Sequence, residues 1–172
     1  MKYEDGKYYH VYNRGANRQN IFLNPENYDF CIRLMKKYLL QYGVSIMAYC
    51  LMPNHYHLIV KQHENGTISR SIQTVFNAYT QSVNLSTKHS GTLFQGRVKG
   101  VEVATDEYAV RLALYIHHNP VAAGLALKPD GWKYSDYLDG IGNRKADISD
   151  LGLRDALHES VGVQYLDGRI CR

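Results

Sequence analysis

The stretch LMPNHYHLIV, Leu51 to Val60, sets two histidines around a tyrosine in an otherwise apolar run. In an extended chain, residues two apart point the same way, so His55 and His57 share one face and Tyr56, Leu58 and Val60 the other. Two neutral imidazoles side by side can serve one divalent metal ion. The pattern is short and common by chance, so on its own it leaves a purely structural role open. A metal site also needs a third ligand, or positions filled by water and substrate. Cys31 and Cys50 lack the spacing of a zinc site. With Cys171 they make neither a disulfide framework nor a C-x-x-C pair, and the expectation is two core thiols and one tail thiol.

A second set of chemically capable residues falls at helical spacing. Ala109, Leu112, Ala113 and Ile116 form the apolar side of one helix. Tyr108, Arg111, Tyr115 and His118, with Asn119 beside them, form another side. Arg111 lies one turn before Tyr115 and Asn119 one turn after it. Such a face can bring a tyrosine nucleophile, a phosphate-binding arginine and an oxygen ligand together. Tyr115 alone is more often packing than a nucleophile, and Tyr108 is a rival on the same side. Because Asn119 precedes Pro120, it is expected at the helix end, where Asn-Pro is also a plain stop signal.

These residues need elements to hold them. Tyr8 to Asn13 reads as a first strand, followed by the polar loop RGANRQN. Asn24-Pro25 starts a helix whose face carries Tyr28, Cys31, Met35, Tyr38 and Tyr42, stopped by Gly43. Val44 to Leu51 and His55 to Lys61 read as two strands joined by a Pro53-Asn54 turn, hence an antiparallel hairpin. Ile68, Ile72, Phe76, Tyr79 and Val83 trace a second helix. A basic, glycine-punctuated segment then leads into a short strand, Val98 to Val103, and Thr105-Asp106-Glu107 caps the third helix, which is expected to run to Pro120. The order β-α-β-β-α-β-α predicts an α+β, ferredoxin-like βαββαβ antiparallel sheet with one additional helix. Residues 1–127 are expected as the catalytic domain. Residues 128–172, with a short helix near Ser149 to His158, are expected as an extension packed on it.

The bulk properties narrow the class. The chain has 172 residues, 45% hydrophobic and 21% charged, which excludes wholesale disorder. No apolar run is long enough to span a bilayer, and the N-terminus lacks a secretory core, so a cytoplasmic protein with no membrane partner is expected. The net charge of +4 is compatible with nucleic acid without requiring it. Arg14 and Arg18 in the first loop, Arg70 at the second helix, Arg97 and Lys99 on the short strand, and Arg111 could follow a phosphate backbone. Some of the 15 tyrosines could stack on unpaired bases. Each of these cations is equally well read as solvated surface.

Three blocks in order carry a family resemblance: YCLMPNHYHLIV, GTLFQGRVKGVEV and YIHHNPVAAGL. They resemble, respectively, the paired-histidine motif of the HUH superfamily, the joining segment, and the nucleophile helix of its single-tyrosine transposases. The similarity is greatest to the REP-associated tyrosine transposases and their insertion-sequence-200-like relatives. It runs from about Tyr8 to Trp132. WKYSDY resembles that branch's Trp-x-x-Ser stretch, with Asp136 where a second serine is expected.

The resemblance implies an enzyme that cuts and rejoins single-stranded DNA, flanking a REP-like hairpin, through a 5′-phosphotyrosine on Tyr115. It also implies His55, His57 and Asn119 as ligands of Mg²⁺ or Mn²⁺, with imidazoles favouring Mn²⁺, and either a monomer or a homodimer. His118, one turn from Tyr115, is a geometric candidate for the base. The alternatives are a non-catalytic single-strand-binding module, and a metal-dependent phosphodiesterase that uses water. A relaxase or replication initiator of the same superfamily is a further one, disfavoured by the position of the tyrosine.

Overall fold

The computed structural model describes residues 2–88, 90–145, 148–161, 164–166 and 169–171. Its centre is a four-stranded antiparallel sheet of β1 (Tyr8–Arg14), β2 (Val44–Met52), β3 (His55–Gln62) and β4 (Lys99–Val103), in the order β2-β3-β1-β4. β3 lies between β1 and β2, with α1 (Pro25–Gln41) crossing over, and α2 (Ile68–Thr87) joins β3 to β4. This is the ferredoxin-like βαββαβ topology of an α+β protein, with α3 (Asp106–Ala122) added after β4. Short helices α4 (Tyr137–Gly140) and α5 (Leu151–Val161) follow, then a two-stranded ribbon, β5 (Gln164–Leu166) and β6 (Arg169–Cys171). Among the described residues no helix is long and apolar enough to cross a membrane.

Local chemistry accounts for the elements. The Asn24 side chain accepts the Asn27 amide at 3.0 Å, and Pro25 occupies the first turn of α1. Gly43, at φ 63°, turns the chain out of that helix and into β2. Thr105 accepts the Tyr108 amide at 3.2 Å, and Asp106 and Glu107 sit in the first turn of α3, where the helix dipole favours negative charge.

The sheet separates two apolar cores. Tyr9 and Val11 of β1 and Tyr56, Leu58 and Val60 of β3 face α1 and α2, where the Tyr56 ring stacks on Phe76 with centroids 4.0 Å apart. On the opposite face, Met47, Cys50, Met52 and Ile59 meet Ala109, Leu112, Ala113 and Ile116 of α3. Cys31 and Cys50 are buried thiols; the Cys171 side chain lies outside the described residues.

Residues 132–136, with Ser149 and Asp150, run beside β2, an edge strand. The Leu51 amide donates to the Tyr134 carbonyl at 2.9 Å, and Trp132 Nε1 donates to the Leu51 carbonyl at 3.0 Å. Single bridges pair Cys50 with Ser135 and Ile46 with Ser149. The unpaired groups of an open edge are thereby met. Asp136, fully buried, accepts the Tyr49 amide at 2.7 Å and lies 2.8 Å from His117 Nε2 on α3. Burial alone would raise the Asp136 carboxyl, but His117, the Tyr49 amide and Arg154 outweigh it and hold it below the usual carboxylate range.

Three expectations shift at their edges. β4 begins at Lys99, so Arg97 precedes the strand rather than alternating along it. The late helix spans Leu151–Val161. The third helix does not stop at Pro120: α3 continues to Ala122 and places Asn119 inside it. The proline removes only one backbone donor, while Val121-Ala122-Ala123 carry the helix on to Gly124, whose φ of 69° ends it.

Candidate active site

β3 carries His55 and His57 on the face that α3 covers, and α3 presents Tyr115 to that face. The Tyr115 ring lies edge-on to His57, centroids 6.2 Å apart, and is 58% exposed. The two histidine rings stand nearly perpendicular with centroids 5.1 Å apart. Tyr108, the alternative nucleophile, sits near the start of α3, two turns from that contact.

His55 is fixed by the β2–β3 turn. Its Nδ1 lies 2.6 Å from Asn54 Oδ1, while Asn54 Nδ2 donates to the Arg18 carbonyl at 3.3 Å and so settles the amide's orientation. An amide oxygen only accepts, so His55 keeps its proton on Nδ1 and its Nε2 carries a bare lone pair. The turn is docked in turn on the first loop: the Gly15 amide donates to the Asn54 carbonyl at 2.8 Å, and Ile21 and Phe22 donate to the Pro53 carbonyl. A Cβ on Gly15 would fall 2.1 Å from the Gln19 carbonyl oxygen, so only glycine fits this reversal.

His57 Nδ1 lies 2.8 Å from Nε2 of His10, a residue of β1 on the same face. The register pairs Tyr12 with His57 and His10 with Ile59, which puts His10 diagonally across from His57. Tyr12 stacks on both imidazoles, centroids 4.7 Å from His10 and 5.8 Å from His57. Burial pushes His57 down to about 3, helped by His10 and His55, and His10 down to about 4. Burial, then Arg14, lowers His55. Near neutral pH all three are uncharged, the form in which imidazole binds a metal.

This donor set fits a divalent cation. Both Nδ1 atoms are engaged, and neither Nε2 has a hydrogen-bond partner among the described residues. Among those residues no three His, Cys, Asp or Glu side chains converge on one point, so a third protein ligand has to be of another kind. Asn119, one turn beyond Tyr115, has a buried side-chain Nδ2 with no partner among the described residues. Turning that amide over would place its oxygen there instead.

The basic residues divide by location. Arg14, Arg18 and Lys99 line a cavity of about 460 Å³ with Tyr12, His55 and His57. Arg14 donates to Gln95, and Lys99 lies over the Tyr12 ring at 5.9 Å. Arg97 borders a different cavity, of about 750 Å³, between α2 and residues 92–98. Arg111 is exposed on α3. Arg70 is not at the histidine site; it lies over the Tyr42 ring, at 5.7 Å, on the side of the sheet occupied by α1 and α2. His118 is exposed, and its Nδ1 lies 3.1 Å from the Leu114 carbonyl of its own helix.

His10 and Asp136 are the residues that sequence reasoning did not select as part of this machinery. The alternation of His10 and Tyr12 along YYHVYN was a signal for the first, but only the β1–β3 register shows that it reaches His57.

Comparison with known proteins bears on the family and the fold. The family model described as "Transposase IS200 like" matches residues 4–119. A solved REP-associated tyrosine transposase bound to a REP hairpin shares the fold at TM-score 0.72 and 18% identity, covering 87% of this chain and 92% of that one. A putative transposase from Deinococcus radiodurans R1 is 16% identical over 69% of this chain and 97% of that one, at TM-score 0.47. No curated protein matches the sequence. With the family model covering well over half its length, this chain belongs to the IS200-like transposase family.

Proposed function

We propose that this transposase cuts and rejoins single-stranded DNA beside a hairpin, with Tyr115 as nucleophile. The observation that carries the reading is the approach of an exposed phenol to a pair of neutral imidazoles, 6.2 Å between the Tyr115 and His57 rings. Tyr115 Oη attacks the scissile phosphorus, the P–O3′ bond breaks, and the strand is left as a 5′-phosphotyrosine and a free 3′-hydroxyl. The phenol proton is lost as the new bond forms, and the departing 3′ oxygen takes one up. One phosphodiester replaces another, so a second 3′-hydroxyl reverses the linkage without external energy.

His55 and His57, with the amide of Asn119, would hold Mg²⁺ or Mn²⁺. Bound there, the ion would offset charge on the phosphate oxygens. Arg14, Arg18 and Lys99 line the same cavity and supply positive charge for the flanking backbone. The solved relative in complex with a REP hairpin supports a hairpin-bearing substrate of the same kind.

The test is incubation of labelled single-stranded hairpins with Mn²⁺, wild type against Tyr115→Phe, read on a denaturing gel. The expected result is a covalent protein–DNA adduct that the variant lacks while still binding DNA. Cleavage that persists in the variant without an adduct would replace this reading with hydrolysis by water. Binding without cleavage by either protein would favour a non-catalytic binding module.

A further inference from the structure

His57 has two neutral tautomers, and the structure contains the group that chooses between them. Its Nδ1 lies 2.8 Å from His10 Nε2, with the two rings inclined by only 21°. One of these nitrogens carries the proton between them. If His10 donated, His57 would bear its own proton on Nε2 and could offer no lone pair there. If His57 donates, its Nε2 is bare, matching the Nε2 that Asn54 leaves bare on His55.

We propose that His10 is a positioning residue: its Nε2 accepts from His57 Nδ1–H and so holds the His57 proton away from the metal-facing Nε2. Asn54 performs the same office for His55 through an amide oxygen, so each imidazole of the pair has its own acceptor, from a different element. Tyr12, stacked on both His10 and His57, keeps the two rings from swinging apart. His10 is only 8% exposed, which keeps water from competing for the shared hydrogen bond. Partners of this kind fix ring orientation and raise ligand basicity.

The inference rests on the proposed metal site but not on the strand-transfer chemistry, and its test uses no DNA. Nitrogen-15 NMR of the metal-free protein near neutral pH reads the tautomer of His57 directly. The expected result is a protonated Nδ1 and a bare Nε2. Mn²⁺ binding is then measured by calorimetry for wild type, His10→Phe and His10→Gln. The phenyl ring keeps most of the volume but accepts nothing, and affinity is expected to fall about 10- to 100-fold. The glutamine carbonyl can accept from Nδ1–H and is expected to restore both the tautomer and the binding. Metal-free His57 with its proton on Nε2 would overturn the proposal. So would His10→Phe binding Mn²⁺ as tightly as wild type, or failure of His10→Gln to improve on it. Failure of the Tyr115 experiment would leave these readouts unchanged.

Discussion

Arg18, Lys99 and Arg70 are all exposed cations, so none contributes much to stability, but the fold gives them different neighbours. Arg18 and Lys99 border the histidine cavity, and Arg70 lies over Tyr42. Replacing Arg18 or Lys99 by alanine is expected to lower the slope of log affinity against log salt by about 0.7, the counterion release of one phosphate on a single strand. Arg70→Ala is expected to leave that slope unchanged. Binding titrations at several salt concentrations decide both. Tyr115→Phe, at a 58% exposed position, is expected to change stability by less than about 0.5 kcal/mol, checked by thermal melting. At this scale the sequence was partly legible. The period of two placed His55 and His57 on one face, and the turn residues placed the hairpin that carries them. The link from His10 to His57 depends on which strands become neighbours, and 47 residues separate the pair.

Among the elements, α3 matters most because it carries both Tyr115 and Asn119, and its seating depends on a buried pair. Asp136 joins His117 to the Tyr49 amide, tying the helix to β2 through the segment that follows it. Asp136→Asn is expected to destabilise the protein by about 3–5 kcal/mol, because it removes one partner of a fully buried charged network. The carboxyl is held low in the folded state, so its contribution is complete above the unfolded value near 3.8 and is lost as pH falls through the lower folded value. Thermal melts between pH 6 and pH 2 are expected to show that acid loss in wild type and a shallower one in the variant. The extent of α3 was read too short from the sequence, since the residue before a proline is a probable but not a certain helix boundary, and α3 carries Pro120 inside it. Here two alanines and a well-placed Gly124 follow. Asp136 was visible only as an acid where a serine was expected; its buried partners lie 19 and 87 residues away.

For the whole molecule, the question is how far residues 1–127 can stand alone. The sheet order was recoverable because β-α-β-β-α-β spacing admits few topologies. The covering of the β2 edge was not, because the covering chain is irregular and lacks a periodic signal. Trp132, Tyr134 and Asp136 all bond to β2, and the Tyr134 ring stacks on Tyr28 of α1 with centroids 3.8 Å apart. A chain ending at residue 127 is therefore expected to lose its cooperative thermal transition and to self-associate through the exposed strand, measured by circular dichroism and light scattering.

Asn54 holds the first loop with one end of its amide and His55 with the other. The backbone at Arg18 and the orientation of His55 are thus not independent. Whatever grips one should bias the other, and thermodynamic reciprocity requires the bias to be equal in both directions. The factor by which Mn²⁺ tightens DNA binding should equal the factor by which DNA tightens Mn²⁺ binding, and Asn54→Ala should bring both toward one. A side chain at a two-residue turn would then make cargo and ion each a sensor of the other.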